Sequence, residues 1–125
     1  MTAKRVLSVG QCGADHYGIS STLRHAFGAE VEQASTQAEA LQLLRQDSFA
    51  LVLVNRVFDM DGDSGIELIR RIKSDASLRT TPVVLVSNYA DAQREAQEAG
   101  AEPGFGKATL GRPEMLDRIR RFLDE

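Results

Sequence analysis

Phe49-Ala50-Leu51-Val52-Leu53-Val54 is the longest unbroken apolar run of the chain. It is far short of the roughly 20 residues that a membrane span needs. It also does not alternate, so both of its faces must be covered, as in the central strand of a parallel sheet flanked by helices. The same logic extends outward. Arg5-Val6-Leu7-Ser8-Val9 is β-branched, ends at Gly10 and reads as a buried strand. Ile19, Leu23, Ala26 and Phe27 form the stripe of a helix over about Asp15 to Phe27, which Gly28 stops. Ala29 to Ala34 reads as a short strand around Val31. Ser35 is then the expected N-cap of a helix that carries Ala38, Leu41, Leu43 and Leu44 and ends near Gln46.

Beyond the central run, Ile66, Leu68, Ile69 and Ile72 mark a helix ending around Asp75, and Pro82-Val83-Val84-Leu85-Val86 marks a strand. Asp91 to Ala99 is a helix whose stripe is only Ala92, Ala96 and Ala99, so loose docking is expected. Pro103 and Gly104 make Ala101 to Phe105 a poor, edge-like strand. Gly111-Arg112-Pro113 opens a final helix with Met115, Leu116, Ile119, Phe122 and Leu123 facing inward. Five strand–helix units with right-handed crossovers specify an α/β sheet with helices on both faces. Residues 1–125 are expected to form one domain.

Composition narrows the function classes. A net charge of −3 excludes a strongly basic nucleic-acid binder, and the single Cys12 excludes a disulfide framework or a Cys-rich zinc module. The basic start at Lys4-Arg5 is followed only by Val6-Leu7-Ser8-Val9, too short for a signal-peptide core. A soluble, cytoplasmic domain that neither enters a membrane nor binds nucleic acid is the expectation. Arg112, Arg118, Arg120 and Arg121 on the last helix are interspersed with Glu114, Asp117, Asp124 and Glu125, the mark of a solvated mixed face. In open parallel sheets the working crevice lies beyond the carboxyl ends of the strands. Attention therefore falls on the loops after Val9, Val54, Val86 and Phe105.

Those loops carry a resemblance that covers essentially the whole chain. The five-unit pattern, the strand ending at Asn55, the Val83-Val84-Leu85-Val86-Ser87 strand end and Gly104-Phe105-Gly106-Lys107 resemble a response-regulator receiver domain of bacterial two-component signalling. The resemblance implies a flavodoxin-like sheet of order 2-1-3-4-5. It also implies that an aspartate ending the third strand accepts a phosphoryl group, and that an acidic pair after the first strand holds Mg²⁺. A Ser or Thr after the fourth strand and a Lys after the fifth then contact the phosphoryl oxygens. Ser87, Phe105 and Lys107 fall on retained positions. Asn55 stands at the acceptor position, Gly10-Gln11 stand where the acids belong, and Ala108 replaces the usual proline. Gly65 lies two residues further from Asn55 than the family spacing.

An amide cannot serve as the ionised carboxylate nucleophile that acyl-phosphate formation requires. Gly10 and Gln11 offer no negative charge to a hard cation. The expected function is thus a degenerate pseudo-receiver in phosphorelay signalling, with no catalytic residue, no metal and no cofactor. It would act as a protein-interaction module through the face of the fourth helix, fifth strand and fifth helix, with a separate partner or with a second copy. Two alternatives stand beside it: a phosphorylation-competent receiver using Asp59 or Asp61 as a substitute carboxylate, and a small-ligand sensor using the vacated crevice. Lys107, lacking its aspartate, is expected to find Asn55 Oδ1, a loop carbonyl, or a loop aspartate swung towards it.

The remaining motifs are weaker. Asp59-Met60-Asp61-Gly62-Asp63-Ser64-Gly65 resembles the start of an EF-hand loop, but Ser64 stands where Gly is required and Arg70 where a bidentate Glu is required. A turn with Asp63 or Ser64 as N-cap of the next helix is the simpler reading. Ser87 beside Asn88 reads equally as a turn former. Cys12 has no histidine or lysine placed to activate it. Asp15-His16-Tyr17-Gly18 has the wrong spacing for a cobalamin-ligating motif, which leaves His16 as a polar residue at a helix start.

Overall fold

A computed structural model of the chain describes residues 3–124. The elements run β1 (Arg5–Val9), α1 (Gly13–Phe27), β2 (Glu30–Ala34), α2 (Gln37–Gln46), β3 (Leu51–Asn55), α3 (Gly65–Ser74), β4 (Val83–Val86), α4 (Ala90–Glu98), β5 (Glu102–Phe105) and α5 (Pro113–Leu123). A single turn of 3₁₀ helix, Lys107–Thr109, precedes α5. All strand pairs are parallel and the order is β2-β1-β3-β4-β5, as the resemblance implied. No helix of the described residues is long and apolar enough to cross a membrane.

The period of two along each strand divides the core into halves. Leu7, Val9, Val52, Val54, Val83 and Leu85 point to one face and are covered by α2, α3 and α4 through Leu41, Leu44, Ile66, Ile69, Ile72, Ala92 and Ala96. Val6, Leu51, Leu53, Val84 and Val86 point to the other face and meet Ile19 and Leu23 of α1 and Met115, Ile119 and Leu123 of α5. The third strand is buried throughout its apolar length, which accounts for its lack of alternation.

Local chemistry moves two helix starts from their expected places. The cap of α2 is Thr36, whose hydroxyl accepts from Glu39 N at 3.1 Å, rather than Ser35. Glu39 reaches back instead to accept from Ser35 N at 2.6 Å, a reciprocal pairing that satisfies two amide donors. The first helix begins at Gly13, ahead of the expected Asp15. For α3 the choice between Asp63 and Ser64 falls on Ser64, which accepts from Glu67 N at 3.2 Å.

The edge strand β5 compensates for its sequence with side chains. Its register slips between the pairings Val84–Glu102 and Val86–Phe105. Pro103 has no amide to give, and the Gly104 amide donates to Gln93 Oε1 at 3.2 Å. From α4, Gln93 Nε2 donates to Leu85 O at 2.9 Å and Ser87 O at 3.0 Å, while Arg118 of α5 donates to Gly104 O at 2.6 Å. One glutamine thus stitches an alanine-striped helix to two strands. Gln93→Ala is expected to lower stability by about 1–3 kcal/mol. Urea unfolding would measure that loss, and faster amide exchange at Gly104 would localise it.

Candidate functional site

The crevice forms where β1, β3, β4 and β5 end. At the end of β3, the α3 start passes so close that a Cβ on Gly65 would collide with the Asn55 carbonyl carbon and the Val54 side chain. Glycine is therefore required there, and this close approach forces the longer β3–α3 connection to fold back on itself. It does so as a small hairpin. Val57 and Ser64 form an antiparallel bridge, Phe58 N donates to Asp63 O and Gly62 N to Phe58 O (both 2.8 Å), and Gly65 N donates to Arg56 O at 2.8 Å.

The hairpin drives Phe58 into the molecule, where it is 1% exposed. Its ring lies against Gly10, whose φ of +79° is the left-handed region that glycine adopts without strain. A Cβ on Gly10 would stand 2.7 Å from Phe58 Cγ, 2.9 Å from Cε1 and closer still to Cδ1. An aromatic ring therefore fills the space next to the first position of the expected acidic pair. Gln11, at the second position, is 4% exposed, and its carboxamide has no hydrogen-bond partner among the described residues.

Asn55 ties these two loops together. Its Nδ2 donates to Gly10 O at 3.0 Å and to Val57 O at 2.7 Å, and its Oδ1 accepts from Arg56 N at 3.1 Å. The pattern fixes the amide orientation, because a flipped group would set an oxygen against two carbonyls. Gly10 O also accepts from Asp59 N at 3.0 Å, so the β1–α1 and β3–α3 loops share one acceptor.

Lys107 corrects an expectation. It is bound neither to Asn55 nor to a hairpin aspartate. Its Nζ meets Asp15 Oδ2 at 2.6 Å, from the first turn of α1. The Lys107 hydrogen bond holds the Asp15 carboxyl below its ordinary range, and partial burial opposes the shift. The helix N-terminus also favours an acid at that position. Asp15 therefore contributes stability above the ordinary carboxylate pKa of about 3.9, and the contribution is lost as pH falls through the lower folded value. With both side chains more than a third exposed, Asp15→Asn is expected to cost less than about 1 kcal/mol. Urea unfolding of the two chains should converge in acid. Beside Asp15, burial pushes His16 below its usual value, and its Nδ1 makes no hydrogen bond within the described residues.

The other expected residues are accounted for individually. Ser87 is buried and its hydroxyl accepts from Tyr89 N at 3.1 Å, the turn-forming role. Asn88 Oδ1 accepts from Ala108 N at 3.1 Å and links the β4–α4 loop to the loop after β5. Phe105 is buried in the α1/α5 half of the core. Asp61 accepts from Asp63 N, and Asp63 accepts from Gln37 Nε2 at 3.0 Å; neither Asp59 nor Asp61 reaches Lys107. Among the described residues no group of three or more His, Cys, Asp or Glu is gathered to hold a metal ion. Asn55, Ser87, Asn88 and Lys107, with Arg56, Val57, Val86 and Tyr89, line a cleft of about 280 Å³. Sequence reasoning missed Phe58, Asp15 and Gln93 as organisers of this region.

Comparison with known proteins agrees with this architecture. The family model for the response regulator receiver domain matches residues 15–120. The chemotaxis protein CheY-3 of Vibrio cholerae is 29% identical over 109 residues, covering 81% of this chain and 79% of that protein. A gliding motility regulatory protein of Myxococcus xanthus is 29% identical over 99 residues, covering 78% of this chain, which spans only 12% of that longer protein. A solved structure from Chloroflexus aurantiacus J-10-fl superposes with a TM-score of 0.86 at 22% identity and covers 98% of both chains. The sheet order, the strand-end crevice and a family match across most of its length lead to one assignment: the chain belongs to the response-regulator receiver domains of two-component signalling.

Proposed function

We propose that this receiver operates without phosphoryl transfer, as a cytoplasmic protein-interaction module whose state is set by what binds it. The observation that carries the reading is Asn55. The side chain at the acceptor position is a neutral amide whose two N–H donors are spent on Gly10 O and Val57 O. An acceptor must present a free anionic oxygen to the incoming phosphorus, and this group does the opposite work, holding two carbonyls together. Lys107 already has its counter-charge in Asp15.

The residues present do not fit Mg²⁺. The ion needs anionic oxygens in octahedral array. Gly10 has no side chain, the Phe58 ring occupies the adjoining space, and Gln11 is neutral. No catalytic role, metal or cofactor is therefore assigned. Addition of Mn²⁺ tests this part directly. Amide resonances of Gly10, Gln11 and Asn55 should keep their line widths, and selective paramagnetic broadening there would contradict it.

The face of α4, β5 and α5 is the proposed contact surface, for a signalling protein or a second copy. Gln93 and Arg118 brace it from within. Nucleic acid is not the expected partner. Arg120 pairs with Asp117 and Asp124, Arg121 pairs with Glu102, and Arg118 is spent on Gly104 O, which leaves little free positive charge on α5.

A further inference from the structure

A groove of about 720 Å³ opens between the β3–α3 hairpin and the start of α4. No residue of β5 or α5 lines it, so it is separate from the α4–β5–α5 face. Buried Ile66 of α3 and buried Ala92 of α4 form its apolar part. Beside them stand two of the few large apolar side chains that the described residues leave exposed, Val57 of the hairpin and Tyr89 just before α4. The α4 side is bordered by Ala90 and Ala92, whose side chains are too small to fill the space. Exposed apolar surface gathered into one concavity, with a polar rim, is the form of a docking site.

The charges in the lining favour one sign of partner. Both acids that line the groove are already neutralised, Asp91 by Arg94 and Glu95 by Arg70. Arg56 is the remaining charged residue of the lining, and it makes no ion pair among the described residues. Its guanidinium lies over the Tyr89 ring at 4.9 Å. Stacking engages the face of the guanidinium and leaves the N–H groups at its edge for a carboxylate, which can accept two of them at once. Arg56 also lines the neighbouring cleft that holds Lys107, whose charge Asp15 already answers. The unanswered charge along this surface is therefore a single cation beside an apolar hollow. That combination suits aliphatic side chains next to a carboxylate.

We propose that the groove between the β3–α3 hairpin and the start of α4 docks a short acidic, aliphatic segment of a partner protein. The aliphatic side chains of that segment rest on Ile66 and Ala92 beside Val57 and Tyr89, and its carboxylate meets Arg56. This rests on the reading of the domain as an interaction module and adds a surface distinct from the α4–β5–α5 face.

The probe is a synthetic peptide of leucine and glutamate in helical register, titrated into the full chain and followed by amide chemical shifts. Two counterparts accompany it, one with lysine for glutamate and one with serine for leucine. The leucine–glutamate peptide should shift Val57, Ile66, Tyr89 and Ala92, and both counterparts should bind at least about tenfold more weakly. Tyr89→Ala should weaken binding about tenfold or more. Arg56→Gln should weaken it and flatten its salt dependence, and Arg56→Glu should reverse the preference, so that the lysine peptide binds better than the glutamate one. Asp59→Asn, on the hairpin but outside the lining, should leave binding unchanged. Arg56 and Tyr89 are exposed, so thermal unfolding of their variants should stay close to that of the parent chain. No binding, equal binding of all three peptides, a preference of the parent chain for lysine, shifts confined to α4–β5–α5, or an unchanged preference in Arg56→Glu would each overturn the proposal. Self-association abolished by Tyr89→Ala would identify a second copy as the occupant and overturn it likewise. A mass gain with acetyl phosphate would defeat the reading of the domain as a receiver without phosphoryl transfer and move none of these binding results, so the two failures are distinguishable.

Discussion

Gly10→Asp is expected to lower stability by about 2–5 kcal/mol, although it restores a residue type that receivers carry at that position. The left-handed backbone costs an L-residue about 1–2 kcal/mol. Forcing a Cβ into the Phe58 ring adds about 1–3 kcal/mol of overpacking. The collision gives the expectation a signature that simple loss of stability lacks. Phe58→Ala alone should cost about 3–5 kcal/mol, because it empties a fully buried aromatic site. Combined with Gly10→Asp it should cost clearly less than the sum, because the truncated side chain no longer meets the new Cβ. Urea denaturation of the four chains measures the coupling. Additive losses would show that Phe58 and Gly10 do not share the space assigned to them.

Asn55→Asp is the second change with a large expected effect, and its sign runs against intuition drawn from the family. The new carboxylate would face Gly10 O and Val57 O across distances now held at 3.0 and 2.7 Å by N–H donors. Losing those donors and opposing three oxygens should cost about 1–3 kcal/mol at neutral pH, moderated because the site is only part-buried. The same repulsion raises the carboxyl pKa above its unfolded value. The penalty is thus complete above the raised folded value, and it disappears as pH falls below about 3.9. Comparing Asn55→Asp with Asn55→Ala across pH separates repulsion from lost hydrogen bonds, since only the aspartate chain should recover in acid. A pH-independent difference would mean that the carbonyls are free to turn away.

Most of the fold is legible in the sequence, because the side-chain periods that declare it are set by burial. The unbroken Leu51–Val54 run, the Ile66-Leu68-Ile69-Ile72 stripe and Gly28 at a helix end each report a local requirement that the structure meets. Ser35 against Thr36 lies within the ambiguity of two adjacent capping hydroxyls, decided only by which of them the Glu39 amide reaches. The site is half legible. What is missing at Asn55 and Gly10-Gln11 can be read from residue type, since an amide and a glycine cannot do an acid's chemistry.

What took the place of those acids is tertiary. Asp15 lies 92 positions from Lys107 in sequence, and only the docking of α1 beside the β5 end brings them to 2.6 Å. Its place in the first turn of a helix that starts at the crevice was the available signal. Phe58 was hidden for a different reason. In a loop rich in aspartate and glycine a lone aromatic reads as solvent-facing, and its burial follows from the hairpin that two additional residues allow. Gln93 is polar on a helix judged by its alanines, and its value lies in carbonyls that Pro103 and Gly104 leave in need of partners.

The central claim is that nothing in this crevice accepts a phosphoryl group. Incubation of the full chain with acetyl phosphate and Mg²⁺, followed by intact-mass measurement, tests it most directly. The expected result is an unchanged mass for the parent chain and for Asn55→Asp alike. A stoichiometric gain of one phosphoryl group, abolished by Asp59→Asn or Asp61→Asn or appearing in Asn55→Asp, would contradict it.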